Sequence, residues 1–244
     1  MFFSPTGAGG YLDKLVGYYP FNSNGNDFSG KGHDGTIVGS PTYSTGKVGN
    51  AIDFINDTNA NYVDIPHTTD FNFADAVNDY PFSMCMWVKF HAFSMTANFF
   101  LNKRTTTSSG DEWQLIYYGN RLQFYKFQYD NNSIWQQIAT SLSPFSLNTW
   151  YHIAYTDSGT NAVGSGKLYI NGIENVSINQ NNGAYTKLNY GNSISRFGAP
   201  SWSPASTLKH KGLIDESYIW KDRCLTPSEV LDIYNKGVLG QILI

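Results

Sequence analysis

Charge is scarce in this chain. Only 14% of its 244 residues are Asp, Glu, Lys or Arg, against about 25% in an average domain. The 16 basic and 19 acidic residues leave a formal net charge of −3, with no basic cluster. A phosphate backbone requires a concentrated basic face, so nucleic acid is excluded as a partner. Cysteine is nearly missing as well. Cys85 and Cys224, the only two, could form one bridge, but they build no disulfide framework and no metal-binding pair spacing. Two buried free thiols are expected. No apolar run approaches the ~20 residues of a membrane span, which excludes membrane insertion. Ala, Glu, Lys and Leu are too sparse for long helices or coiled coils. The opening residues, Met1 to Leu12, carry neither the basic start nor the long apolar stretch of a secretory signal.

What the chain does have is aromatic residues, 16% of the total, which with so little charge argue against disorder. They recur in short runs separated by Gly, Asn and Asp. Phe82, Met84, Met86, Val88 and Phe90 alternate with Ser83, Cys85, Trp87 and Lys89. Both faces of that strand are largely apolar, so it is expected at the centre of a sheet. Gly119-Asn120 and Asn171-Gly172 sit between β-rich runs and read as two-residue hairpin turns. Further strands are expected at 16–21, 51–54, 62–65, 150–156, 194–198 and 212–220. One helix is expected after Thr226, with Pro227 in its first turn and Glu229 completing a capping box. Its apolar face would be Val230, Ile233 and Tyr234, and Gly237 would end it. Residues 1–16 read as a Gly-rich arm, 17–237 as one domain and 238–244 as a tail. About a dozen strands and one terminal helix predict an all-β, two-sheet antiparallel jelly-roll sandwich.

The order of motifs resembles the laminin-G-like, concanavalin A-like lectin/glucanase family. The likeness runs through Gly17-Tyr18-Tyr19-Pro20-Phe21, the loop Asp27 to Gly35, Gly46 to Phe54, Phe82 to Lys89, Trp150 to Ala154, Leu168 to Gly172, Gly212 to Glu216 and Arg223 to Val230. It implies the jelly roll. It also implies a structural calcium pairing the 27–35 loop with Asp215. In that reading Asp27 and Asp215 supply carboxylates, Gly32 and its neighbouring glycines turn carbonyls inward, and Asp34 is an alternative ligand. The competing reading of the residues is a turn in which Asp27 bonds its own backbone. Glucanases of this sandwich carry alternating carboxylates on one strand. This chain has only the adjacent pairs Asp111-Glu112 and Asp215-Glu216, which point to opposite faces when extended. The five histidines show no metal-ligand spacing.

Aromatic rings offer a better ligand signal, because sugars present flat C–H faces. Trp87 and Trp150 lie in strong strands and are expected in the core. Trp202 lies in a Pro/Ser loop, where it is either a platform or a plug. Trp135 and Tyr129 flank Asp130 to Ser133. Arg121, Gln123 and Tyr125 alternate along one strand, as hydroxyl-binding groups or as an ordinary polar face. These features predict a non-enzymatic recognition or structural module. The first expectation is a protein on the surface of a phage or virus particle, part of a larger assembly or homo-oligomer, attaching to cell-surface glycans or other virion proteins. The alternatives are a secreted lectin-like module and, less favoured, a glycan-cleaving enzyme.

Overall fold

A computed structural model describes residues 10–54, 61–93, 97–105, 110–129, 131–142, 145–203 and 208–243. In chain order the strands are β1 (Leu15–Tyr19), β2 (Thr36–Val38), β3 (Thr42–Thr45), β4 (Asn50–Asp53), β5 (Tyr62–Ile65), β6 (Phe82–Phe90), β7 (Ala97–Lys103) and β8 (Trp113–Tyr118). Then follow β9 (Arg121–Gln128), β10 (Asn131–Ala139), β11 (Trp150–Asp157), β12 (Gly166–Ile170), β13 (Ile173–Glu174), β14 (Ile178–Asn182), β15 (Ser195–Phe197) and β16 (Gly212–Lys221), and the helix α1 (Pro227–Val238). They form two antiparallel eight-stranded sheets. The first runs β13-β12-β11-β6-β16-β4-β3, with β1 also paired to β16; the second runs β14-β10-β9-β8-β7-β15-β5-β2. This is the expected jelly roll. Both two-residue turns have positive φ throughout: 57° and 60° at Gly119 and Asn120, 51° and 78° at Asn171 and Gly172. That backbone twist matches the strands it joins.

The alternation in β6 is explained by cover on both sides. Phe82, Met84, Met86, Val88 and Phe90 enter the core between the sheets. Cys85 enters a second core, where Tyr18, Tyr169, Tyr218 and Trp220 meet Leu225, Val230 and Ile233 beneath α1. The capping box of Thr226 and Glu229 starts that helix as expected. Residues near both ends of the chain join this second core. The Trp220 indole donates to the Tyr11 carbonyl (2.7 Å), and the Leu243 amide donates to the Tyr218 hydroxyl (3.3 Å).

Three expectations need correction. Gly237 does not end the helix: α1 continues to Val238, and the glycine with positive φ is Gly240, at 70°. Gly237 instead lies inside the last turn against the Trp87 indole, where an added Cβ would stand 2.5 Å from Nε1. Trp150 is only half-buried, with the Lys89 ammonium 5.0 Å from its ring centroid. Of the two free thiols only Cys85 is buried; Cys224 is exposed. The Gly237 contact gives a prediction against helix propensity. Ala is the better helix former by about 1 kcal/mol, yet Gly237→Ala should lower stability by about 1–3 kcal/mol, the range for overpacking. Urea melts check this, and an unchanged or raised midpoint would contradict the packing role.

Candidate functional site

Part of the outer face of the first sheet, around Cys85, Ala154, Tyr169 and Tyr218, packs beneath α1. The outer face of the second sheet carries the polar row described next. Directly paired residues share a face of a sheet. Register places Gln180 of β14 beside Gln137 of β10, Gln137 beside Tyr125 of β9, Tyr125 beside Gln114 of β8, and Gln114 beside Asn102 of β7. From Asn102 the row continues through Arg196 and Asp64 to Thr36. One polar row thus crosses all eight strands at right angles to them.

Its two halves differ. The half from Asn102 onward is roofed by residues 199–201. The Asn102 amide donates to the Ala199 carbonyl (2.8 Å) and accepts from the Ser201 amide (2.9 Å). Arg196 donates to the Pro200 carbonyl (3.0 Å) and to both oxygens of Asp64 (2.5 and 2.9 Å). In the half from Gln114 to Gln180, Gln180 is exposed and Tyr125 half-buried, whereas Gln114 and Gln137 are buried, and Tyr125 packs with Trp202 and Leu208 against Phe99 and Ile116. Here the side chains hold one another. Tyr125 donates to Gln123 Oε1 (2.7 Å), Gln137 donates to both Gln123 Oε1 (2.7 Å) and the Tyr125 hydroxyl (2.8 Å), and Gln180 donates to Gln137 Oε1 (2.8 Å). Burial pushes the Tyr125 phenol up to about 12, so it stays protonated and keeps donating.

Aromatic rings border this row. Trp135, half-buried on β10, meets Tyr125 edge-on with centroids 5.4 Å apart. Trp202, also half-buried, meets Phe99 edge-on at 5.2 Å. Between them lies Arg104, whose guanidinium carbon is 4.0 Å from the Trp202 centroid and 4.5 Å from that of Phe127. Its nitrogens donate to Gln114 Oε1 (2.7 Å) and to Asp111. The structure thus brings together three residues expected from the sequence: Trp202, Trp135 and Tyr125. Arg121 shares the face beside Tyr118 but is turned onto the Thr140 carbonyl. Tyr129 stands apart, stacked on Tyr190 at 5.1 Å with Lys187 4.2 Å above its ring; Asp130 lies outside the described residues. Arg104, Phe127, Gln114, Gln137 and Gln180 were not singled out by sequence reasoning. Phe127 continues the alternation of Arg121, Gln123 and Tyr125 and was within reach. The glutamines acquire meaning only through strand register.

The pair Asp111-Glu112 divides as expected, whereas the strand is irregular at Asp215-Glu216, with Glu216 at φ 49° and the register shifted between Asp215 and Tyr218. Asp111 faces Arg104, while Glu112 turns into the core, where its carboxylate lies 2.7 Å from the Lys103 ammonium and both side chains are fully buried.

The loop carrying Asp27 is closed by the chain itself. Asp27 Oδ1 accepts from the amides of Tyr18 (2.9 Å) and Ser29 (2.8 Å), and Oδ2 accepts from the Ser29 hydroxyl (2.8 Å) and the His33 amide (3.0 Å). Asp34 accepts from the Asp27 amide (2.8 Å). Gly32, at φ 76°, serves the bend. The Tyr18 carbonyl also accepts from the Phe28 amide (2.8 Å). Residues 27–28 therefore line the edge of β1 away from β16, the strand that carries Asp215. Asp215 Oδ2 accepts from the amides of Lys47 (2.6 Å) and Val48 (3.0 Å), whereas its buried Oδ1 has no partner. The fit to calcium is partial: Asp215 offers a vacant oxygen and Asp27 offers none. Among the described residues, no group of three or more His, Cys, Asp or Glu is placed to hold a metal.

Burial, with the neighbouring Glu216 charge, pushes the Asp215 carboxyl up to about 8. A carboxyl whose pKa rises on folding stabilises the folded state at low pH and loses that contribution as pH climbs toward the folded value. Asp215→Asn is expected to flatten the decline in stability between about pH 4 and about pH 8. Melts at the two ends of that range check it; an unchanged slope would contradict the assignment.

Two antiparallel eight-stranded sheets with one helix packed on the first are the architecture of a lectin-like domain. The sequence matches the concanavalin A-like lectin/glucanases superfamily over residues 57–231, and the chain belongs to that superfamily. No curated protein matches it. Among solved structures, domain 4 of AbnA, an extracellular arabinanase from Geobacillus stearothermophilus, in complex with arabinotriose, is similar at 24% identity and TM-score 0.64, covering 91% of this chain and 98% of that one. The binding domain of Paraclostridial Mosquitocidal Protein 1 is similar at 18% identity and TM-score 0.66, covering 92% of this chain but 52% of that one. A structure on cell entry of botulinum neurotoxin type C, described as dependent on two ganglioside molecules, is similar at 13% identity and TM-score 0.59, covering 93% of this chain and 52% of that one. This chain thus spans about half the length of the toxin binding domains it resembles.

Proposed function

We propose that this chain is a non-catalytic carbohydrate-binding domain whose ligand lies on the outer face of the second sheet. The observation that carries the reading is the row Gln180, Gln137, Tyr125 and Gln114, in which Gln180 is exposed and Tyr125 half-buried; the first three hold one another, Arg104 holds Gln114, and Trp135 and Trp202 border the row. Amides and phenols both donate and accept, as sugar hydroxyls do. The rings supply flat apolar surface at little conformational cost. Binding is favoured over cleavage because the carboxylates nearest the face are ion-paired, Asp111 to Arg104 and Asp64 to Arg196. The arabinotriose complex of a structural neighbour supports a saccharide ligand, and that neighbour's extracellular setting supports an extracellular one here. Attachment from a phage or virus particle is a narrower version of the same proposal, and none of the neighbours described above adds support for it.

The test is a glycan array probed with the purified chain. Saturable binding to a related set of saccharides, without release of products, is expected; a blank array overturns the reading. Calcium is a separate, structural proposal, supported by the vacant Oδ1 of Asp215. A melting temperature raised by calcium over chelator in the parent, but not in Asp215→Asn, would support it, and identical melts would remove it.

A further inference from the structure

We propose that the buried cluster of Lys103, Glu112 and Asn72 is a self-modification site, at which the Lys103 amine displaces ammonia from the Asn72 side-chain amide and ties the two residues together by an intramolecular amide bond.

Strand pairing and ring packing bring the three groups together. Lys103 ends β7, Glu112 immediately precedes β8, and the Glu112 amide donates to the Lys103 carbonyl (3.0 Å). Asn72 follows the short 3-10 turn Thr69–Phe71. Its neighbours on both sides are tied to Trp113, the residue after Glu112. The Trp113 indole donates to the Phe71 carbonyl (3.4 Å), and the Phe73 ring centroid lies 5.4 Å from that of Trp113. In this frame Lys103 Nζ donates to both oxygens of Glu112, each at 2.7 Å, and to Asn72 Oδ1. Asn72 Cγ, the atom an amine attacks, is one bond from that oxygen. Lys103, Glu112, Phe71, Phe73 and Trp113 are all fully buried.

Such a setting activates the amine. Desolvation lowers the Lys103 amine and raises the Glu112 carboxyl, and both shifts favour the uncharged amine and acid over the ion pair. A desolvated lysine amine is a nucleophile, and a fixed neighbour replaces a bimolecular encounter.

The step balances within the cluster. The ammonium gives one proton to Glu112, and the freed electron pair of Nζ adds to Asn72 Cγ. A second proton passes from Nζ through the carboxyl to Asn72 Nδ2, and the Cγ–Nδ2 bond breaks. Ammonia leaves with the first proton as ammonium, Nζ and Cγ remain joined as an amide, and Glu112 returns to carboxylate. No oxidant or co-reactant enters.

Cys85 and Cys224 are both free, so the amide would be a covalent brace that the thiols do not supply. It would close residues 72–103 into a ring and anchor β7, the strand between β8 and β15. The bond forms only after folding, because these residues are far apart in the unfolded chain. A freshly folded chain therefore holds the ion pair, and its melting reports that pair; an aged chain holds the amide.

Intact-mass spectrometry over time tests the inference. The full chain, recovered unfolded in denaturant, is refolded and sampled at intervals. Its mass should equal the sequence value at the start and fall by one ammonia with age. Fragmentation of a digest should place the loss in a branched peptide joining the segments of Asn72 and Lys103. Glu112→Gln should fold and keep its full mass. Asn72→Ala, which shortens only a half-buried side chain, should do the same, and it keeps the comparison decisive where Glu112→Gln fails to fold. A folded parent that holds its full mass overturns the proposal. So does ammonia loss mapped to another asparagine, such as Asn182, which precedes Gly183. A Glu112→Gln chain that loses ammonia as the parent does overturns the part given to the carboxyl.

Discussion

Replacing Lys103 with Met is expected to lower the free energy of unfolding by about 3–5 kcal/mol, because it leaves one member of a buried ion pair alone. Lys103 and Glu112 are both fully buried, with the ammonium 2.7 Å from both carboxylate oxygens and also bonded to Asn72 and, at 3.3 Å, to the Gly191 carbonyl. Burial drives the Glu112 carboxyl up to about 8, and the lysine opposes that rise. Without the lysine, Glu112 would take up a proton or stay as an uncompensated charge, and either outcome favours unfolding. For a chain of this size the shift in melting temperature is on the order of 10 °C. Lys103→Met with Glu112→Leu should recover much of the loss, since replacing both members of a buried pair with apolar groups is often close to neutral. A single variant that melts within a degree or two of the parent would show that the pair contributes little.

The largest effect on binding is expected at Trp135. Its ring borders the amide row and is only half-buried, so truncation removes contact surface without opening the core. Trp135→Ala should weaken saccharide affinity by about thirtyfold, the cost of a central aromatic contact near 2 kcal/mol, with the melting temperature almost unmoved. Trp202→Ala should also weaken binding, with a larger cost in stability. Its ring is one of the two that hold Arg104, and such a cation–ring contact is worth about 0.5–2 kcal/mol. Phe127 and Asp111 would still hold the guanidinium in that variant. A Trp202→Ala chain that fails to fold would instead assign this tryptophan to plugging the sheet edge.

Much of the fold was legible because its signals are local. Alternation in β6 and the paired positive-φ turns at Gly119-Asn120 and Asn171-Gly172 depend on a few adjacent residues. The short strands Thr42–Thr45 and Ile178–Asn182 were missed, since polar runs of this kind become strands only through the neighbour they pair with. Gly237 misled for a related reason. A glycine near a helix end resembles a stop, and only the tertiary contact with Trp87 reveals it as a close approach. The site divides along the same line. Trp202, Trp135 and Tyr125 stood out as rings in unexpected or alternating positions. Arg104, Gln137 and Gln180 carried no local signal, because strands far apart in sequence make them neighbours. Asp27 shows the opposite hazard. Its turn and its metal readings use the same residues, and the structure shows its carboxylate filled by four donors of its own loop and strand.

The most direct measurement is chemical-shift mapping by NMR on the isotope-labelled chain, titrated with the best oligosaccharide from the array. If that face binds the ligand, the side-chain amides of Gln114, Gln137 and Gln180 and the indole N–H groups of Trp135 and Trp202 will shift together in one saturable process. Shifts confined to the helix-covered side, around Trp87 and Tyr234, or to the 27–35 loop would contradict it.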